Sequence, residues 1–372
     1  MSNTQKKNVP ELRFPEFEGE WEEKQLGNII KVNSGKDYKH LDKGDIPVYG
    51  TGGYMTSVSE PLSEIDAVGI GRKGTINKPY LLEARFWTVD TLFYCTPKKE
   101  TDILFILSLF RKINWKVYDE STGVPSLSKQ TINKINRFVP TNKEQQKIGK
   151  FFSKLDRQIE LEEQKLELLQ QQKKGYMQKI FSQELRFKDE NGNDYPDWTN
   201  ERLGEVTTVT MGQSPKSVNY TDNSNDTVLI QGNADIENGL INPRIYTREV
   251  TKLIQKDEII LTVRAPVGKL AMAQINACIG RGVCSIKGDK FLYYFLEWFA
   301  TQNKWIRFSQ GSTFESISGN DIRNIHIKIP VEDERTKIIK LLNSLDVLNS
   351  KTDLKIQNLK QRKQSLLQKI FV

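Results

Sequence analysis

The segment GYMQKIF at 175–181 returns as SLLQKIF at 365–371. The same offset of 190 positions relates Leu127-Ser128 to Ile317-Ser318, and Ile132, Ile135 and Pro140 to Ile322, Ile325 and Pro330. It also relates Glu144, Lys147 and Ile148 to Glu334, Lys337 and Ile338, and Leu155-Asp156 to Leu345-Asp346. Nearer the front, ELRF at 11–14 recurs at 184–187, and Trp21 and Leu26-Gly27 recur as Trp198 and Leu203-Gly204. Internal repeats set an architecture before any single residue does. A unit written twice implies two copies of one scaffold, here with slightly different lengths. The ends of each unit match, while the middles, roughly 35–120 and 212–310, diverge. A constant frame with two unlike inserts suggests one scaffold presenting two different readers.

After Pro140 the pattern becomes helical. TNKE at 141–144 has the spacing of a capping box, with Thr141 at the N-cap and Glu144 three residues on. Apolar residues then recur at steps of four and three: Ile148, Phe152, Leu155, Ile159, Leu166, Leu169, Tyr176 and Ile180. The second copy places Ile338, Leu342, Leu345, Ile356, Leu359, Leu366 and Ile370 in the same frame. Lys173 and Lys363 break the two seams at equivalent positions. Glu332, Asp333 and Glu334 replace the capping hydroxyl with charge that suits a helix N-terminus. Each seam needs a partner, and internal two-fold symmetry would run the pair antiparallel. About 40 residues at 1.5 Å each give roughly 60 Å of rod. Gly175, matched by Ser365, hints at a close helix contact. The rival reading packs each helix on its own globular neighbour.

The remaining segments read as two mixed α/β heads. In the first, 67–82 is a strand, a basic glycine loop and a strand, 86–95 alternates like one half-buried strand, and 102–115 is a core helix. The second follows the same order, with an aromatic-rich core helix at 291–306. The expected organisation is an α+β tandem duplication: an N-terminal segment at 1–20, a head at 21–140 and a long helix at 141–182. A second head at 183–330 and a second long helix at 331–372 follow, the helices forming an antiparallel intramolecular coiled coil.

Catalytic material is sparse. GIGRKG at 69–74 is literally GxGxxG, but a dinucleotide site needs that loop to open a helix, and TINKP follows instead. No Walker A, HExxH or GxSxG pattern is present, and Asn242-Pro243-Arg244 lacks the second proline of an amino-methyltransferase motif. His40 and His326 stand alone, and Cys95, Cys278 and Cys284 form no CxxC pair, so neither a metal site nor a disulfide framework is expected. The start has no apolar signal-peptide core, no apolar run reaches the length of a membrane span, and a cytoplasmic location is expected.

Net charge is +8, which suits a polyanionic partner as well as a solvated lysine-rich surface. The candidate DNA contacts in the first head are Lys36, Lys39, His40, Tyr49, Thr51, Arg72, Lys73 and Lys78. In the second they are Lys216, Asn219, Tyr220, Gln231, Asn233, Arg264, Lys269 and Arg281. Lysine and arginine neutralise phosphates; arginine, asparagine and glutamine read base edges.

The run STGVPSLSKQTINKINRFVPTNKEQQKIGKFFSKLD and its echo GSTFESISGNDIRNIHIKIPVEDERTKIIKLLNSLD, with IPVYGTGGY and GRKGTI in the first head, carry a family resemblance. The chain resembles, over essentially its whole length, the DNA-specificity subunit of Type I restriction-modification enzymes. The resemblance implies a non-catalytic subunit whose two target-recognition domains each read half of a split double-stranded DNA site. The paired helices would set the gap and dock two adenine-N6 methyltransferase subunits, and restriction endonuclease subunits would join for cleavage. The chain itself would bind no cofactor; the complex would use S-adenosylmethionine, ATP and magnesium. A methylation-only partner without a nuclease, an interaction scaffold and an unrecognised nuclease are the competing readings. RAPVGKL at 264–270 is the nearest second-head equivalent of GRKGTI.

Overall fold

The computed structural model describes residues 8–305 and 316–372. The chain divides into two units, residues 1–164 with 352–372 and residues 165–351. Each unit holds one head together with part of both long helices, Asn142–Phe181 and Glu332–Ile370.

The repeated residues build the same frame in each unit. In the first, strand Glu22–Gln25 pairs antiparallel with Asn136–Val139. In the second, Thr199–Arg202 pairs antiparallel with His326–Ile329. The Leu26 amide donates to Ile135 O at 2.8 Å, and the Leu203 amide to Ile325 O at 2.8 Å. The glycines that follow are required by crowding: a Cβ on Gly27 would lie 3.1 Å from Asn133 Cβ, and one on Gly204 2.8 Å from Arg323 Cβ. Ser128 and Ser318 survive in both copies because each hydroxyl caps a short helix, accepting from the amides of Thr131 and Asp321. Asp102 and Asp289 likewise cap the two core helices, Ile103–Lys112 and Lys290–Thr301. Ile306, the expected end of the second of these, lies outside the described residues.

The divergent middles share a sheet. In the first head the strand order is Ile30–Ser34, Leu92–Pro97, Ala67–Gly71, Tyr80–Leu82. In the second it is Val209–Met211, Val283–Ile286, Ile259–Thr262, Leu270–Met272, extended by the hairpin Leu240–Ile241 and Ile236–Glu237. A second sheet completes each head, of three strands in the first and five in the second. The stretch 86–95, expected as one strand, is two: Trp87–Thr88 and Leu92–Pro97 join different sheets across a turn.

The long helices pack together antiparallel. In the first unit Lys355 meets Glu162 and Lys363 meets Asp156, so positions fall on one helix as they rise on the other, and Lys360 Nζ lies 2.6 Å from Glu163 beside them. In the second unit Lys173 Nζ lies 2.7 Å from Asp346 and 2.7 Å from Glu297. The two lysines that interrupt the seams thus take the two repeat-equivalent aspartates. The Tyr294 hydroxyl also donates to Asp346 at 2.7 Å.

The seam ends run into the heads, so the rival packing arrangement is present as well. Ile148, Phe152, Leu367, Ile370 and Phe371 lie in the first head's core, and Met177, Ile180, Phe181, Ile338, Leu342 and Leu345 in the second's. The repeated QKIF ends each helix with an aromatic plug. Phe371 sits 6.2 Å from the Trp21 ring and 5.5 Å from Phe105. Phe181 sits 5.6 Å from Phe291, which in turn meets Trp198 at 5.8 Å.

Two local expectations fail. Glu144 does not reach back to form a capping box; it is buried and accepts from Arg13 at 2.8 and 2.7 Å and from Trp21 Nε1 at 3.3 Å. Its counterpart Glu334 accepts from Arg186 at 3.0 and 2.8 Å and from Trp198 Nε1 at 2.9 Å, which explains why ELRF, the tryptophan and the glutamate recur together. A stronger, cationic donor outcompetes the helix's own amide. Gly175 marks no close contact, for a Cβ there would meet nothing within 4 Å.

Candidate nucleic-acid interface

In the first head, several loops converge on the turn at 88–92. Thr88 O accepts from the Lys36 amide at 2.8 Å, and Leu92 O from Gly35 at 3.1 Å. The Val89 amide donates to Tyr49 O at 3.0 Å, and the Leu92 amide to Val89 O at 3.0 Å. Thr91 O accepts from Arg72 at 2.8 Å, and Arg72 O from Leu127 at 2.9 Å. Lys36, Tyr49 and Arg72, distant in sequence, therefore border one turn.

The second head repeats these six bonds around 279–283. Ile279 O accepts from Gln213 at 2.9 Å, and Val283 O from Gly212 at 3.0 Å. The Gly280 amide donates to Ile230 O at 2.7 Å, and Val283 to Gly280 O at 3.2 Å. Gly282 O accepts from Val263 at 2.9 Å, and Val263 O from Ile317 at 2.9 Å. The isolated bridges agree: Lys73 pairs with Ser126 and Arg264 with Ser316. The backbone scaffold is common, and its side chains are not. Lys36 is replaced by Gln213, Tyr49 by Ile230, Arg72 by Val263 and Asp90 by Arg281, whereas Lys73 and Arg264 keep a cation.

Around the first turn, the Arg72 guanidinium lies 5.9 Å over the Phe93 ring and donates to Asp90 O at 3.4 Å. Trp87 Nε1 donates to Lys36 O at 2.9 Å, and the exposed His40 ring packs edge-on to Trp87 at 5.9 Å. Tyr49 is half-buried between Tyr54 and Tyr80, and the Tyr80 hydroxyl is tied to Gly50 O at 2.6 Å. Burial holds that phenol protonated, well above its ordinary range. Thr51 lies at the turn between strands Ile46–Gly50 and Gly53–Val58. Lys39 and Lys78 are exposed.

Around the second turn, the Arg281 amide donates to Ser214 Oγ at 3.1 Å, and Arg281 and Arg264 line one cleft with Met211, Val263 and Ile317. Gln231 and Tyr220 approach at 3.5 Å, and the Gln231 amide is fixed by Asp235 at 2.8 Å. Lys216 is exposed, and its amide shares Glu249 with the Asn219 side chain, at 3.0 and 2.6 Å. Lys269 has a different setting: its ammonium donates to the carbonyls of Asn233 and Ile236 at 3.1 and 2.5 Å. Sequence reasoning did not pick out Asp90 and Gln213, which the repeated backbone pattern singles out, nor Ser214, whose hydroxyl holds the Arg281 amide.

Among the described residues, no group of three or more His, Cys, Asp or Glu side chains gathers as a metal site would require. The GIGRKG glycines lie on strand Ala67–Gly71 and the loop after it, not at a helix start. Burial pushes the Cys284 thiol up to about 12, far from the range of a nucleophilic thiolate. No described helix is long and apolar enough to cross a membrane.

Residues 18–171 and 195–361 match the Type I restriction modification DNA specificity domain. The chain belongs to this family. A Methanocaldococcus jannaschii chain named for the specificity role in the MjaX type I restriction enzyme is 30% identical over 261 residues, 66% of this chain and 61% of that one. The same organism's type I restriction enzyme MjaVIII specificity subunit is 25% identical over 312 residues, 77% of this chain and 71% of the relative. The crystal structure of a Type I restriction-modification S subunit from M. genitalium superimposes with a TM-score of 0.68 at 16% identity, covering 98% of this chain and 99% of that one. A chain from a study of assembly and conformational transition in the type I system gives 0.59 at 18% identity, covering 94% and 97%. At such identities these two likenesses speak for the fold: two specificity domains with two long helices packed together.

Proposed function

We propose that this chain is the DNA-reading subunit of a Type I restriction-modification complex, and that each head reads one half of a split target. The observation that carries this reading is the pair of hub turns. One backbone scaffold, held by the same six hydrogen bonds, exposes Lys36, Arg72, Lys73 and Asp90 in the first head and Gln213, Arg264 and Arg281 in the second. A duplicated reader whose frame is constant and whose tips differ suits a target of two unlike halves. Lys73 and Arg264, cationic in both copies, suit a phosphate contact common to any sequence. In this reading the chain is not catalytic. Two methyltransferase subunits dock on the paired helices and supply S-adenosylmethionine chemistry, and restriction subunits supply ATP- and magnesium-dependent cleavage.

The test is to express the chain with its methyltransferase partner and map methylated adenines in the host DNA. Two short defined blocks separated by a fixed unspecified gap are expected. One uninterrupted block, or no sequence preference, would refute the reading.

A further inference from the structure

Resting on that reading, we infer that Asp90 and Arg281, which occupy the same place on the two hub turns, contact bases rather than phosphates. Arg281 takes the acceptor edge of a guanine in one half-site, and Asp90 takes the amino group of a cytosine in the other.

The two residues are equivalent by construction. Each follows the residue whose amide donates to the neighbouring sheet, Val89 to Tyr49 O and Gly280 to Ile230 O. Each precedes the residue whose carbonyl accepts from the basic loop, Thr91 from Arg72 and Gly282 from Val263. Both side chains are exposed, and among the described residues neither has a hydrogen-bond or ion-pair partner within the chain. Their backbones, in contrast, are pinned. The Arg281 amide is held by Ser214 Oγ, and the Asp90 carbonyl faces the Arg72 guanidinium. A rigid turn carrying an unengaged polar side chain is organised to offer that side chain to something outside.

Charge decides what that something is. Asp90 stands among Lys36, Arg72 and Lys73, yet Arg72 reaches its carbonyl at 3.4 Å rather than forming an ion pair with its carboxylate. A carboxylate on a phosphate-binding surface would repel the backbone, so its useful partner there is a base amino group, and acidic side chains accept from cytosine N4. At the same place the second head carries arginine, whose fork matches guanine O6 and N7. Arg264 lines the same cleft and leaves Arg281 free of the phosphate-neutralising task.

The experiment places Arg281→Ala, Arg281→Lys and Asp90→Ala separately in the full chain, co-expressed with the methyltransferase partner. Adenine methylation is read across a plasmid library randomised at both half-sites. Arg281→Ala should relax the guanine preference at one position of one half-site by roughly ten- to a hundredfold. Arg281→Lys should do much the same, because a single ammonium cannot replace the fork. Asp90→Ala should relax one cytosine position in the other half-site. In each case the untouched half-site keeps its preference, which also reports that the chain has folded. An unchanged base preference, or a uniform loss of methylation at every sequence, would overturn the assignment while leaving two-block recognition standing. A wild-type target without two blocks would sink both.

Discussion

Glu144 and Glu334 are 1% and 0% exposed, each gripped by an arginine from the preceding ELRF and by a tryptophan N–H. The carboxylate raises the Arg13 guanidinium further above its ordinary range, chiefly through their hydrogen bond. Removing one partner of such a pair is costly, because the other charge stays behind without its counter-ion. Glu144→Ala should therefore destabilise the first unit by about 3 kcal/mol, read as a shift of the urea midpoint. Glu334→Ala should do the same to the second. An exposed Leu168→Ala control should shift it by less than about 0.5 kcal/mol. A shift for Glu144→Ala no larger than the control's would mean that the clasp contributes nothing to stability. At this scale the sequence pattern announced that Glu144 mattered and misassigned why. The spacing of TNKE satisfies a capping box, and nothing in four local residues reveals an arginine 131 positions away.

The long helices were legible because periodicity is a local signal that survives into tertiary structure. Ile159 and Ile356, outside both head cores, are buried as a seam requires. Their extent as a free coiled coil was not legible, since the residues that pair helices also close the head cores, and a heptad looks the same in either setting. The interrupting lysines carry the register. Burial pulls the Lys363 ammonium below its ordinary range, and the hydrogen bond it donates to Asp156 offsets part of that. Asp156 also holds Arg111, so its loss strands two cations, whereas Lys173 retains Glu297 when Asp346 is removed. Asp156→Ala should therefore cost about 2 kcal/mol and Asp346→Ala about half of that, the partial exposure of both pairs reducing the buried-pair figure. Urea unfolding of the two variants side by side decides it; equal losses would show that Glu297 does not substitute. The heads were legible only in outline. Short strands joined by irregular loops leave weak patterns, and the hub turns are defined by backbone hydrogen bonds that no residue type encodes. That is why 86–95 reads as one strand until the turn at 88–92 divides it.

For the whole molecule, the proposed division of labour makes helix length a variable independent of base reading. The first long helix is 40 residues and the second 39, uninterrupted by proline. If the helices set the gap, adding one heptad to each leaves the seam in phase, because seven residues return the same face to the partner. The insertions belong after Gln164 and after Lys351, where the chain passes between its two units. Each adds about 10 Å of rise at 1.5 Å per residue. At ~3.4 Å per base pair the gap should widen by roughly 3 bp, with the bases of both half-sites unchanged. Four inserted residues would instead rotate the seam and should abolish methylation. Exchanging 21–140 for another family member's head should alter one half-site and leave the gap alone. Methylation mapping reads all three variants on one scale, and an unchanged gap after a folded heptad insertion would remove the helices from the measurement of distance.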